Sequence, residues 1–542
     1  MTGFTGTAAL TRLAIRRDRT RLLIWVLAMP AVTAAVLQSV RGVYGTEQDR
    51  IGYATTSAAS VVARAFNGPA SGPSLGAVVT AEAYTMLALL AALLSTFAVI
   101  RHTRQNEETG RAELLGSAVV GRHALLSAAL LTTLAANVLS GLLLSLVLVA
   151  DGLPLSGSLA LGTAIGGIGV AFAAVAAVAA QVSGTARGAN GIASAAVGLA
   201  FLLRAAGDAW GEVSADGLRV TSAWPSWLSP LGWANQIRPF DGDRWWVAAL
   251  TAGLCAAAVG LAFTLTGRRD LGSGLLAVRR GPAVAVRHLL SPVGLAWRLQ
   301  RGVLLGWAIG VAVMGLAMGS VGNELESFVG ENEAASELIA QLGGTDVLVD
   351  AFLGTMMAMF ALAVAGYAVQ SVLRLRAEEA AGTLEGVLAT AVSRPGWLLS
   401  HLLWAGIGTV ALLAVAGAST GLGYGLVTGD VPGELARLTA AGLLQAPAAL
   451  VLAGLVALLF GLLPRLAVAL SWSAFLVCVL LGQLGALLEL PQAVLNVSPF
   501  THLPAVPAAD PAAVPLVTLL LVAVALAGLG MALFRRRDLA IG

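Results

Sequence analysis

Apolar runs long enough, or nearly long enough, to cross a bilayer recur along this chain, among them residues 87–100, 125–150 and 514–534. A hydrocarbon core of about 30 Å takes about 20 apolar residues in helical form. Inside it every backbone N–H and C=O must be satisfied by the chain itself. The fold class follows: an all-α polytopic membrane protein. Charge agrees, since 11% of residues are charged against roughly 25% in soluble proteins. The net charge of +3 carries no sign of a nucleic-acid partner, and none is expected.

The apolar pattern predicts twelve transmembrane helices. Six lie near 22–40, 78–100, 124–150, 157–182, 188–208 and 245–266, and six near 303–321, 351–373, 397–427, 436–463, 466–489 and 513–534. Dividing 153–208 into two rests on the polar stretch 181–190. Arginine placement then orients the chain. Residues 12–21, 101–122, Arg187, 268–301, 374–394, Arg465 and 535–537 fall on one side, read as cytoplasmic, with both termini inside. Arg41, Arg50, Arg64, Arg219, Arg238 and Arg244 fall outside that bias. The other side includes 322–350, which has Glu324, Glu326, Glu331, Glu333, Glu337, Asp346 and Asp350 but no arginine. Residues 321–342 alternate acids with apolar side chains, so a short amphipathic surface helix and a solvated loop both fit.

The two halves echo each other. Arg16, Arg19 and Trp25 match Arg298, Arg301 and Trp307 at a constant offset. A mid-chain copy cannot be a cleaved leader, so the basic-then-apolar start is expected to remain as a helix. Ser229-Pro230 and Ser498-Pro499 each precede the last helix of a half. Arg268-Arg269-Asp270-Leu271 closes the first half and Arg536-Arg537-Asp538-Leu539 the second. Six helices per half keep both copies in one orientation, giving two parallel six-helix pseudo-repeats. The expected division is 1–280 and 281–542, with the Gly-, Pro- and Arg-rich stretch 267–291 as linker.

A charged motif also occurs twice at identical spacing. Arg104, Glu107, Gly110, Glu113 and Arg122 recur 272 residues later as Arg376, Glu379, Gly382, Glu385 and Arg394, with Val120 matching Val392. Glu107 and Arg111, four apart, suggest a surface pair. Steps of three drift around an α-helix, so these charges do not form one tight face. A bend at Gly110 or Gly382, then a short interfacial helix ending at Arg122 or Arg394, fits better. A solvated loop obeying the positive-inside rule explains the arginines but not the repeated glutamates. A docking element for a cytoplasmic protein of complementary charge explains both.

All 32 basic residues are arginine. A phosphate-binding P-loop needs a lysine, so no ordinary nucleotide site is expected in this chain. Cys255 and Cys478 sit in apolar runs and read as core residues. His102, His123, His288, His401 and His502 lack ligand spacing, and no metal site is expected.

Glu379-Ala-Ala-Gly-Thr-Leu-Glu385, followed by Val392-Ser393-Arg394, resembles the coupling segment of ABC-2 type export permeases. The first copy departs from that pattern at Arg111, where Thr is usual. Ser229-Pro230-Leu231-Gly232-Trp233 resembles the same family's outer element before its sixth helix. The resemblance covers most of the chain, taken as two fused six-helix permeases, and is similar to actinobacterial exporters of polyether and macrolide antibiotics such as tetronasin. It implies a separate ATPase subunit, in two copies, which would hold ATP and Mg and dock on 101–122 and 374–396. It implies a multi-pass permease of the bacterial plasma membrane, not itself an enzyme, moving small apolar or amphipathic drugs outward. It also implies a substrate path along the second and fifth helices of each half, nominating Tyr84, Phe97, Met356, Met359 and Phe360. At helical spacing such side chains are more often plain packing than a path lining.

Two other classes compete. A proton-driven transporter of twelve helices needs ionisable groups deep in the membrane. Glu82, Asp208 and Glu489 are expected instead near helix ends, in contact with solvent. A membrane-embedded enzyme needs clustered His, Asp, Glu or Cys at membrane depth, and the sequence offers no such cluster.

Overall fold

The computed structural model describes residues 3–270, 272–276, 284–330, 345–484, 491–504 and 506–539. The chain divides into two compact units, Met1–Gly281 and Pro282–Gly542. Among the described residues eleven helices are long and apolar enough to cross a membrane. The expected helix at 466–489 is represented by a shorter apolar stretch, Ala467–Gly482; residues 485–490 lie outside the described set.

The first unit begins with α1 (Thr7–Val43), the short α2 (Glu47–Ala59) and α3 (Val61–Phe66), and α4 (Leu75–His102). Two small helices follow, α5 (Arg104–Glu108) and α6 (Arg111–Gly116). Then come α7 (Ala124–Ala150), α8 (Leu155–Val182) and α9 (Ala186–Ala209). A hairpin of β1 (Glu212–Val213) and β2 (Val220–Thr221), the short α10 (Pro230–Gln236) and α11 (Ala248–Arg268) complete it. The centre is α8, which packs on α4, α7 and α11. Glycine makes this possible: a Cβ on Gly162 would overlap the Gly141 carbonyl, and one on Gly169 the Asn137 amide. Without a hydrophobic drive between helices in lipid, such close backbone approach supplies the packing energy.

Helix α1 starts well before the expected residue 22, because its arginine-bearing turns continue the helix. It bends at Asp18 (φ −109°, ψ 18°). Asp18 is buried there, with Arg101 Nη2 and His102 Nε2 each 3.0 Å from its carboxylate. The bend thus fixes the first helix to the charged end of α4.

The second unit contains α12 (Pro292–Gly330), α13 (Thr345–Ala380), α14 (Thr383–Leu388) and α15 (Arg394–Thr428). It continues with α16 (Val431–Leu444), α17 (Ala446–Leu462), α18 (Ala467–Leu484), α19 (Gln492–Leu495) and α20 (Ala513–Arg536). α12 packs on α15, α15 on α16, α13 on α17, and α17 on α20. The helix expected over 436–463 is interrupted at Gln445, because Pro447 lies in the first turn of α17 and cannot continue a preceding helix. Residues 321–330 prolong α12 as helix; the rest of the expected amphipathic segment, with Glu331, Glu333 and Glu337, lies outside the described residues.

Candidate functional site

Each unit presents a bent, charged segment that leaves a long helix and re-enters the next. In the first unit the chain passes from α5 through Gly110 into α6; in the second it passes from α13 through Gly382 into α14. Both glycines are left-handed, with φ of 70° and 72°. A Cβ at either would meet nothing within 4 Å. Glycine is required here for its backbone freedom, not for space.

The helix after the bend is shorter than the sequence predicts. It ends at Gly116 in the first unit and at Leu388 in the second. Arg122 lies in a turn before α7, and Arg394 opens α15, where Ser393 caps the helix and Pro395 sits in its first turn. A serine cap with proline at the first positions starts a new helix and cannot extend an old one.

Glu107 does not pair with Arg111, since Gly110 breaks the helix between them. It accepts two hydrogen bonds from Arg269, Nη2 to Oε1 at 2.6 Å and Nη1 to Oε2 at 2.8 Å. Arg104 Nη1 approaches the same carboxylate at 2.5 Å. Arg104 is itself fully buried and donates to the carbonyls of Ser183 and Ser273. Arg122 donates to the carbonyls of Thr266 (2.9 Å) and Arg269 (2.7 Å). The segment is therefore clamped onto the end of α11.

The second unit repeats the arrangement with its own residues. Arg537 grips Glu379 bidentately, at 2.6 and 2.9 Å. Arg376 lies 3.3 Å from Glu379, and Arg394 donates to the Arg537 carbonyl at 2.7 Å. The Arg537 guanidinium also stacks over Phe460 and Phe534, 4.9 and 5.1 Å from the ring centres. Bidentate arginine–carboxylate pairs fix geometry as well as contribute energy.

Burial divides the motif into two sets. Arg104 and Glu379 are buried, and the Glu107 side chain is only 6% exposed. Arg376 and Arg394 are half-buried, and Arg122 is exposed but engaged with carbonyls. Glu113 and Glu385 are exposed and make no ion pair with the described residues. Around Glu113 the apolar Leu114 and Val119 are also open, at 75% and 71% exposure. Each unit thus has a buried anchor and a free tip.

Arg269 and Arg537 were not among the expected site residues. Their signal was the repeated Arg-Arg-Asp-Leu motif, whose second arginine supplies the clamp in both units.

The nominated path residues do not form one group within either unit. Tyr84 is packed in the core of the first unit, its hydroxyl donating to the Leu231 carbonyl. Phe97, on the same helix, is 47% exposed. In the second unit Phe360 is buried, Met356 half-buried and Met359 exposed. Phe360 lines a cavity of about 350 Å³ with Trp307 and Met314.

Glu82 is exposed, as expected, and accepts from Tyr53 at 2.6 Å. Glu489 lies outside the described residues. Asp208 corrects the expectation of cheap solvation: although it ends α9, it is fully buried. The segment around Ser226 folds over it, with the Ala223 N–H bonded to the Gly207 carbonyl at 2.8 Å. Its partner is the equally buried Arg204, 3.4 Å away, which donates to the Ala65 carbonyl at 2.5 Å.

Residues 289–535 match the family described as "Multidrug efflux system permease Rv1217c, C-terminal domain". Over 537 residues the chain is 42% identical to the multidrug efflux system permease protein Rv1217c of Mycobacterium tuberculosis, covering 99% of this chain and 96% of that one. This chain belongs to the Rv1217c permease family. The first unit, which the C-terminal family model does not reach, lies inside that full-length match. Both clamped segments are thus part of the shared chain. Membership agrees with the many apolar helices of a multi-pass membrane protein.

Proposed function

We propose that this chain is the permease subunit of an ATP-driven exporter of the ABC-2 type, moving apolar or amphipathic compounds such as drugs out of the cell. In this reading twelve helices form two parallel six-helix halves with both termini cytoplasmic, in a bacterial plasma membrane. The chain is not an enzyme. ATP and Mg belong to a separate ATPase, two copies of which dock on 101–122 and 374–396. The relative's name, a multidrug efflux permease, supports the cargo class.

One observation carries the coupling assignment. Each unit holds an Arg–Glu-anchored bent segment whose second glutamate, Glu113 or Glu385, stays exposed. A rigid base with a free charged tip suits transmission of a push from a docked subunit. The test is Glu113→Ala with Glu385→Ala in the full chain, co-purified with its ATPase. Weakened association and lost substrate-stimulated ATP hydrolysis are expected; both unchanged would sink the coupling role.

The proton-driven alternative draws on one observation, the buried Asp208. Asp208 lies 3.4 Å from the buried Arg204, so any proton it carried would have to pass beside a buried guanidinium. Substrate uptake driven by a pH gradient, in vesicles containing this chain alone, would favour that alternative.

A further inference from the structure

A cleft of the first unit lies away from the charged segments and is lined by none of the nominated path residues. Its volume is about 540 Å³, and it is walled by α7, α8 and α11. Small-molecule pockets span roughly 300–1,000 Å³ and are mostly apolar with a few placed polar groups. Here the walls are mostly apolar, with Asn137, Ser145, Thr163 and Thr251 among them, and Val138 and Leu142 are 50% and 54% exposed. All three helices are candidate membrane spans, so a cleft between them lies at the depth of the bilayer in the export reading. The floor is cut by Gly166 and Gly167 of α8, where side chains would otherwise fill the space.

Two hydroxyls set this cleft apart from a simple groove for lipid tails. Helical threonines in this chain commonly satisfy themselves by donating to the carbonyl four residues back, as Thr132, Thr133, Thr409 and Thr420 do. Thr163 and Thr251 line the cleft, exposed and half-buried respectively, and among the described residues neither hydroxyl makes such a bond. They come from different helices, α8 and α11. A Cβ placed on Gly167, one turn beyond Thr163, would sit 3.6 Å from the Thr251 methyl. In hydrocarbon an uncommitted hydroxyl carries a desolvation cost that a partner would remove. An acyl chain offers no partner. An apolar molecule bearing an amine, amide, hydroxyl or ring N–H does.

We infer that the α7–α8–α11 cleft is a binding site for an apolar compound with hydrogen-bonding groups, taken from the bilayer and held between Thr163 and Thr251. Its role as an entry point rests on the export reading; the binding itself does not. Cys255 lines the same cleft, while Cys478, the second cysteine of the sequence, lies in the other unit. Cys478 is buried and Cys255 half-buried, so alkylation of the folded chain reads Cys255.

The experiment uses the full chain in nanodiscs, without ATPase or ATP, and Hoechst 33342 as probe, an apolar dye with ring N–H donors. Saturable fluorescence enhancement above that of empty nanodiscs is expected. Gly167→Leu, which fills the cleft from a position with room for a Cβ, is expected to abolish it. Thr251→Trp serves as a second filling variant should the first fail to fold. Thr163→Val with Thr251→Val keeps the shape and removes both hydroxyls, and is expected to weaken binding about tenfold. Bound dye is expected to slow maleimide alkylation of Cys255, read by peptide mass spectrometry. Equal dye curves for the wild type and a folded filling variant overturn the site. So does a tightly bound phospholipid, seen by native mass spectrometry, that the filling variant releases while the dye never binds. Because no ATPase is present, failure of the coupling assignment leaves every one of these readouts in place.

Discussion

Glu379→Gln is the sharpest test of the clamp. The substitution keeps the shape of the side chain and removes its charge. Glu379 is 1% exposed and carries two hydrogen bonds from Arg537 and an approach from Arg376. Breaking a buried pair by removing one partner costs about 3–5 kcal/mol. Arg537 is 14% exposed, keeps a bond to the Asp538 carbonyl at 3.0 Å and stacks on two phenyl rings. Those residual contacts lower the expected cost to about 2 kcal/mol. The loss is local, so the assay is hydrogen exchange by mass spectrometry over residues 377–392. There the Gly382 N–H bonds to the Glu379 carbonyl, and the Ala389 N–H to the Glu385 carbonyl. A cost of about 2 kcal/mol corresponds to about 30-fold faster exchange. Residues 105–121 of the first unit, with their own clamp, should not change and serve as the control inside the same molecule. Adding Arg537→Gln should cost less than the sum of the two single changes, because the second removes an arginine already deprived of its partner. Acceleration below about threefold in Glu379→Gln, or strict additivity in the double variant, would refute the anchoring role.

Other outcomes follow from the same geometry. Glu385→Ala should leave exchange over 377–392 within about twofold, since exposed substitutions cost about 0.5 kcal/mol or less. Gly382→Ala should accelerate it, because φ of 72° costs a residue with a Cβ about 1–2 kcal/mol. Asp18→Asn should lower the thermal unfolding midpoint in detergent by loosening α1 from α4, a buried partner loss of about 3 kcal/mol. In the β1–β2 hairpin, hydrogen bonds from the Ser214 hydroxyl and the Leu218 N–H hold the Asp216 carboxyl below its ordinary range. A depressed carboxyl stabilises above its unfolded pKa of about 3.9 and loses that contribution as pH falls through the folded value. Asp216→Asn should therefore weaken hairpin amide protection at pH 7 and make no difference near pH 2, after correction for intrinsic exchange.

How far the sequence reveals this molecule depends on which interaction fixes each part. Helix existence was legible because burial in lipid leaves helices as the way to satisfy the backbone. Helix starts were less so: α1 and α12 begin on arginine-bearing turns that hydropathy does not mark. The bends at Gly110 and Gly382 were readable, since a lone glycine between charged turns has few other uses. The partner of Glu107 was not. Local spacing offered Arg111, whereas the structure supplies Arg269, more than 160 residues away. Distance along the chain hides such a pair unless two motifs recur together, as the glutamate and Arg-Arg-Asp-Leu motifs do. Asp208 failed for a related reason. Its place at a helix end predicted solvent, but the fold of 222–236 covers it, and nothing local to Asp208 encodes that cover.

The clamp also changes what the charged motif means. Read alone, the five residues form a candidate docking surface. In three dimensions the first glutamate faces inward and the second outward, three residues past a left-handed glycine. The two glutamates therefore answer different demands. A loop that receives force from a docked subunit, as proposed, must not yield where it joins the membrane helices, or the displacement is absorbed locally. Glu107 and Glu379 meet that demand by tying the loop to the end of the last helix of their unit, α11 in one and the turn after α20 in the other. The loop then joins two helices: the one it leaves, α4 or α13, and the one that closes the unit. A push at Glu113 or Glu385 would move both together. On this reasoning the charge-removing variants at the two glutamates should separate cleanly. Glu385→Ala should impair ATPase association with loop exchange unchanged. Glu379→Gln should keep more of the association but lose the link between substrate and ATP hydrolysis, because the docked subunit would be pushing on a loop that gives way.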